Sequence, residues 1–142
     1  GIESPGLTAA PAIARRVADL IGAGMDLRPK PHFEPGLPKK RRFAALGDAE
    51  RARLVAAEPE WGEMVCRCEH VPRAEVAAAL RNPFGARSLD AVKRRTRCGM
   101  GRCQGGFCTP RLVDILEEEG LPPDRVTKRG GGSRLFYGRL KD

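Results

Sequence analysis

The residues of this 142-residue chain whose type and spacing could do chemistry are four cysteines. They stand as Cys66-x-Cys68 and, after 34 intervening residues, Cys103-x4-Cys108. Thiolates are soft ligands, and four of them suit either zinc or an iron–sulfur cluster. Zinc sites commonly pair cysteines as C-x2-C to C-x4-C, because a tight knuckle must bring both sulfurs to one ion. C-x-C is shorter than that norm. In an extended segment, residues two apart point to the same side with their sulfurs well separated. That spread suits two irons better than a single zinc, although zinc stays open on spacing alone.

Both pairs lie near expected helix starts: Cys68 ahead of a helix opened by Pro72, and Cys108 immediately ahead of Thr109. Helix N-termini carry unpaired N–H groups and partial positive charge, which stabilise thiolates. Gly99, Gly101, Gly105 and Gly106 let backbone amides come close to the sulfurs. Lys93, Arg94, Arg95, Arg97 and Arg102 can offset remaining negative charge at longer range. The plainer reading is ordinary buried cysteines or a disulfide. Two pairs this tight, both at helix starts, argue against it.

Cys98 makes the cysteine count five. Cys98-x4-Cys103 repeats the spacing of Cys103-x4-Cys108, so spacing alone allows two ligand sets. At the end of a helix, a small buried thiol is the commoner reading for Cys98. The preferred set is therefore Cys66, Cys68, Cys103 and Cys108.

The elements that must position these residues are short helices. Ile13, Val17, Leu20 and Ile21 recur at helical spacing between Pro11 and about Ala23, with Thr8 as N-cap and Gly22 and Gly24 as stop. Pro29, Pro31, Pro35 and Pro38 make the next stretch a linker or extended strap. A second helix is expected from Asp48 to about Glu58, and Met64 to Cys68 reads as extended. A third helix runs from Pro72 to before Asn82, and a fourth starts at its Ser88 cap, with Gly99 as C-terminal signal. A fifth has Thr109 as cap, Pro110 in the first position and Gly120 as stop. Leu135 to Tyr137 could add a short strand. The expected class is mainly α: a small bundle of short helices around the cysteine site, with long irregular Pro/Gly-rich segments.

Composition agrees with a small core. Apolar residues make up 41% and aromatics 5%, while Gly (17) and Pro (12) fill about a fifth of the chain. Such cores often depend on a staple or a metal. The net charge of +8 raises nucleic-acid binding. Yet the runs Lys39-Lys40-Arg41-Arg42 and Lys93-Arg94-Arg95 are not interleaved with stacking aromatics. A solvated basic face is the simpler reading, with no nucleic-acid partner. The sequence contains no apolar stretch of ~18 residues and no secretory signal. With cysteines in ligand-like pairs, a cytoplasmic location is expected, with attachment to a membrane only through partner subunits. Gly1-Ile2-Glu3-Ser4-Pro5-Gly6 reads as a fragment boundary.

Three runs carry a family resemblance: Val65-Cys66-Arg67-Cys68-Glu69, Lys93-Arg94-Arg95-Thr96-Arg97, and Gly99-Met100-Gly101-Arg102-Cys103-Gln104-Gly105-Gly106-Phe107-Cys108. Together they resemble the BFD-like 2Fe–2S domain, named for bacterioferritin-associated ferredoxin. The C-x4-C version resembles the C-terminal domain of FAD-dependent oxidoreductases of the anaerobic glycerol-3-phosphate dehydrogenase type. The resemblance covers about Met64 to Glu119 and implies that Cys66, Cys68, Cys103 and Cys108 ligate the cluster. Family members often have a small residue where Cys98 stands. The opening Gly1 to Thr8 and the Ala-rich helix after it resemble the family's last FAD-contacting segment. This implies flavin contacts from Ser4, Gly6, Leu7 and Thr8. Val126 to Ser133 resembles the family's closing segment.

The expected organisation is a flavin-domain stub at 1–25, a Pro-rich linker and helix at 26–61, the BFD-like domain at 62–120 and a tail at 121–142. The dinucleotide fingerprint of such flavoproteins is missing: Gly99-x-Gly101 follows a helix, and Gln104 takes the third glycine's place. The resemblance thus implies the C-terminal portion of a longer enzyme, with a 2Fe–2S cluster of its own and FAD only in the full-length protein. By itself the chain is not expected to be catalytic, and His32 and His70 are surface or cluster-neighbouring residues. The expected function is electron relay between flavin and an unidentified acceptor, in partnership with the rest of the flavoenzyme. The alternatives are a structural or regulatory four-cysteine zinc module, with DNA binding as an option, and a cluster that only holds the domain together or senses oxygen.

Overall fold

The computed structural model describes residues 3–36 and 40–138. Gly1 and Ile2 of the opening segment, Pro38 of the proline series and Lys39 of the first basic run lie outside them. The chain divides into two compact units, Gly1–Lys39 and Lys40–Asp142.

The first unit is one helix, α1 (Gly6–Gly22), and an irregular Pro-rich segment. The helix begins five residues earlier than periodicity suggests. Pro5 is its N-cap and Pro11 is accommodated inside it. The Thr8 hydroxyl donates to the Pro5 carbonyl at 3.0 Å and does not cap. No α1 residue is buried, so the apolar row Ile13, Val17, Leu20 and Ile21 is uncovered within this unit.

The second unit is mainly α. It contains α2 (Asp48–Ala57), α3 (Arg73–Arg81), α4 (Leu89–Thr96) and α5 (Thr109–Glu118). The sheet is one antiparallel pair, β1 (Met64–Cys66) with β2 (Val71–Pro72), broken by an irregularity between Met64 and Cys66. Val76, Val92, Ile115, Leu116 and Val126 lie at the centre of the core. Each helical member comes from an apolar face repeating every three or four residues, the pattern that lets a short helix bury one side. The expected Ser88 cap is present: its Oγ accepts the Ala91 N–H at 3.2 Å. The next free amides of α4, from Leu89 and Asp90, donate to the Thr127 and Lys128 carbonyls at 3.0 and 2.8 Å. The C-terminal segment therefore serves as backbone cap for α4, and it buries Val126 in the same core. Residues 135–137 form no strand; the nearest pairing is an isolated bridge between Thr127 and Arg134.

Arg73, first residue of α3, ties three segments together. Its guanidinium pairs with Glu60 at 3.2 Å, Glu63 at 3.8 Å and Glu118 of α5. The Glu118 hydrogen bond, above all, raises its pKa further. Upstream, Phe43 stacks on Trp61 with centroids 6.2 Å apart, and the Phe43 amide donates to the Glu75 carboxylate on α3 at 2.7 Å. These ties fix the strand and turn that bear the first two cysteines.

Candidate metal centre

All five cysteines are free thiols. Three of them, Cys66, Cys98 and Cys108, are each only 1% exposed, and their Sγ atoms lie within 4.8 Å of one another. The other two meet at the surface. The Cys68 thiol donates to the Cys103 Sγ at 3.6 Å.

The positioning elements differ in part from those expected. Cys66 ends β1, and the chain then turns through residues 67–70 before β2. Cys68 is therefore in a turn, not in an extended run or at a helix start, and His70 in the same turn has φ +50°. The turn explains why one sulfur of Cys-x-Cys is buried while the other is exposed. The helix-terminus argument holds for Cys108, which is itself the N-cap of α5. Thr109, expected as the cap, is instead the first helical residue, and its hydroxyl donates to the Gly105 carbonyl at 2.7 Å.

Between α4 and α5 the chain runs through successive tight turns. Arg97, at φ +70°, closes α4 in the left-handed conformation expected of Gly99. Backbone bonds then run from Met100 to Arg97, Gln104 to Gly101, Gly106 to Cys103 and Thr109 to Gly105, all 2.8–3.0 Å. The exposed Gln104 side-chain amide donates to the Met100 and Gly101 carbonyls at 3.2 and 3.0 Å and ties the loop back on itself. Gly101 is buried because the loop closes onto Cys68: a Cβ at this position would lie 2.2 Å from the Cys68 Cβ. Only glycine permits that approach.

The electrostatics separate the sulfurs. Backbone amides of Phe107, Gly105 and Gly106, together with the Cys68 thiol, hydrogen-bond the Cys103 sulfur. They hold its pKa below the ordinary thiol range, the Phe107 amide having the largest effect. Burial pushes Cys108 and Cys98 upward, and Cys66 adds to both; the Cys108–Cys98 hydrogen bond raises Cys98 and pulls Cys108 partly back. As free thiols Cys98 and Cys108 thus favour the neutral form, and a bound metal would stabilise thiolates there. Of the basic residues near the site, Arg97 is engaged with Glu69 at 2.6 Å.

The donor set fits a metal–sulfur group. Two thiolates on one tetrahedral ion, with metal–sulfur bonds of ~2.3 Å, lie ~3.8 Å apart. The Cys68–Cys103 separation already matches that, and the buried sulfurs supply a second group of donors. Of the expected ligand set, the structure brings Cys68 to Cys103, and Cys66 to Cys108 together with Cys98, which that set left out. Its equal spacing to Cys103 was the one available signal. Of the flavin-segment residues, Ser4, Leu7 and Thr8 are exposed and Gly6 is half-buried. His32 and His70 are both exposed.

Comparison with known proteins agrees with this arrangement. Residues 64–118 match the BFD-like 2Fe-2S binding domain, and the chain carries a domain of that family, whose cofactor is a 2Fe–2S cluster. The chain is 41% identical over 143 aligned residues to a glycerol 3-phosphate dehydrogenase of Caloramator mitchellensis, covering 99% of this chain and 30% of that protein. It is 33% identical over 102 residues to an anaerobic glycerol-3-phosphate dehydrogenase subunit of Haloferax volcanii, covering 72% of this chain and 16% of the relative. It is also 44% identical over 57 residues to an opine oxidase subunit of Rhizobium meliloti, covering 40% and 12%. The chain thus spans less than a third of these relatives. No solved structure matches it. The zinc-module alternative is not favoured, because the matched family is an iron–sulfur one. No helix among the described residues is long and apolar enough to cross a membrane.

Proposed function

We propose that this chain is the iron–sulfur region of an FAD-dependent dehydrogenase similar to glycerol-3-phosphate dehydrogenases, with Cys66, Cys68, Cys103 and Cys108 as cluster ligands. The observation that carries the reading is the meeting of the two cysteine pairs, Cys68 Sγ standing 3.6 Å from Cys103 Sγ. When bound, a 2Fe–2S cluster supplies one-electron transfer between a flavin and an acceptor.

The chain's own residues define the conditions for that chemistry. Cys66 and Cys108 hold the inner side in a dry core, where a gain of negative charge is resisted. The three amides on Cys103 oppose that resistance at the outer side, since hydrogen bonds to sulfur favour the more negative state. Cys68 and Cys103 also bring the site to the surface, where a partner can approach. The segment Ser4 to Thr8 and the N-terminus of α1 would meet the flavin supplied by the rest of the enzyme, a positive helix end favouring negative charge on the ring.

The test uses the full-length flavoenzyme, mixed anaerobically with glycerol 3-phosphate. Bleaching of the cluster's visible bands within turnover supports the relay. Bands that dithionite bleaches but substrate never does would leave the cluster a structural or sensing role.

A further inference from the structure

We propose that Cys98 is a substitute cluster ligand, placed to take over the iron position of Cys108 when that bond opens. The inference rests on Cys66, Cys68, Cys103 and Cys108 being the resting ligands.

Three observations carry it. First, the Cys98 sulfur is one of three buried sulfurs lying within 4.8 Å of one another, the other two being proposed ligands. Two thiolates on one tetrahedral ion already stand ~3.8 Å apart, so exchange within this group needs only a small shift. Second, the position is held. The Cys98 amide donates to Thr96 Oγ1 at 3.1 Å, and that hydroxyl donates to the Val92 carbonyl at 2.8 Å. The thiol is thereby anchored to the last turn of α4, whose centre is packed in the core. Third, Cys98 and Cys108 flank Cys103 at equal distance along the chain, so a ligand set with Cys98 keeps a C-x4-C pair. No comparable reserve stands beside Cys68 and Cys103 among the described residues: the fifth cysteine belongs to the buried group alone.

The exchange balances as one thiolate for another. The Cys98 thiol gives its proton to solvent and forms the Sγ–iron bond, while the Sγ–iron bond of Cys108 breaks and that sulfur takes up a proton. Cluster charge and oxidation state are unchanged.

The experiment compares the whole chain with Cys98→Ala, Cys108→Ala and Cys98→Ala/Cys108→Ala, each reconstituted anaerobically with iron and sulfide. Alanine is used because it cannot ligate. Iron and sulfide content, visible circular dichroism and far-ultraviolet circular dichroism are measured on all four. The expected result is that Cys98→Ala retains the native spectrum, Cys108→Ala retains iron and sulfide with an altered visible spectrum, and the double variant is empty. A folded Cys108→Ala as empty as the double variant overturns the proposal. So does an empty Cys98→Ala, which would make Cys98 a resting ligand. If Cys108→Ala does not fold, cluster loss to an iron chelator decides between the wild-type chain and Cys98→Ala. Loss several-fold faster in Cys98→Ala supports recapture by Cys98, and equal rates overturn it. A wild-type chain that takes up no sulfide removes the iron–sulfur reading itself, a failure distinct from any of the others.

Discussion

Gly101 lies so close to Cys68 that the β carbon of any other residue would stand 2.2 Å from the Cys68 β carbon. The loop that brings Cys103 and Cys108 to the site is thereby seated directly on the turn that carries Cys68. Cysteines far apart in sequence are registered by one backbone contact, and the residue that makes it has no functional group.

Gly101→Ala should therefore separate the two halves of the site. The clash is with the Cys68 side chain at a turn, and from 2.2 Å relief to ordinary contact requires the loop or the turn to move by more than an ångström. The helices need not melt. Iron and sulfide content after reconstitution should fall by well over half while far-ultraviolet circular dichroism stays native. Full cluster occupancy in this variant would show that the contact is not needed for assembly.

Cys68→Ala and Cys103→Ala should each abolish the cluster. Their sulfurs are exposed or half-exposed and meet each other at 3.6 Å, and Cys98 belongs to the opposite, buried group. Absorbance in the visible range after anaerobic reconstitution is the readout. A coloured Cys68→Ala protein would contradict the ligand assignment.

In the metal-free protein the thiols should react in order of their surroundings. Amide hydrogen bonds lower the pKa of Cys103, and burial raises those of Cys98 and Cys108. Since the thiolate is the nucleophile, the pH at which iodoacetamide reaches half its limiting rate should be lower for Cys103 than for an ordinary thiol. Cys98 and Cys108 should resist labelling until the chain unfolds. Peptide mapping across a pH series gives the order, and equal rates at all sites would contradict it.

Glu75 should leave a signature in stability against pH. Burial raises its pKa above the ordinary carboxylate value, although the Phe43 amide and the Arg42 charge pull it down. Between the unfolded value and the raised native value, the native state binds more protons than the unfolded state. The contribution is therefore fully present below the unfolded pKa and lost as pH rises through the native one. Glu75→Gln keeps an acceptor for the Phe43 amide and should flatten stability across that window. Glu75→Ala also removes the hydrogen bond and should cost about 1 kcal/mol at acidic pH. Urea midpoints measured on both sides of the window check the sign.

Much of this arrangement was legible in the residues. The Ser88 cap, the Pro110 start and the proline and glycine stops gave four helices of the second unit to within about two residues, because caps and breakers act locally. The two cysteine pairs pointed to a metal–sulfur site through ligand type, and the family resemblance chose iron–sulfur over zinc. What was not legible depended on contacts between distant segments. The turn after Cys66 could not be read from an alternating run that continues through Cys68, and it forms where β1 must return as β2. The left-handed residue closing α4 is Arg97, two residues ahead of the glycine that carried the signal, and its side chain pairs with Glu69 from the distant turn. Cys98 looked like a buried helix-end thiol, which it is. Its convergence with Cys66 and Cys108 needed three elements in place at once.

The most direct measurement is iron, zinc and acid-labile sulfide analysis of the anaerobically purified chain, with low-temperature electron paramagnetic resonance after dithionite reduction. The account predicts iron and sulfide in equal amounts and a signal from a reduced 2Fe–2S cluster. Colourless, folded protein containing zinc, no sulfide and no such signal would contradict it.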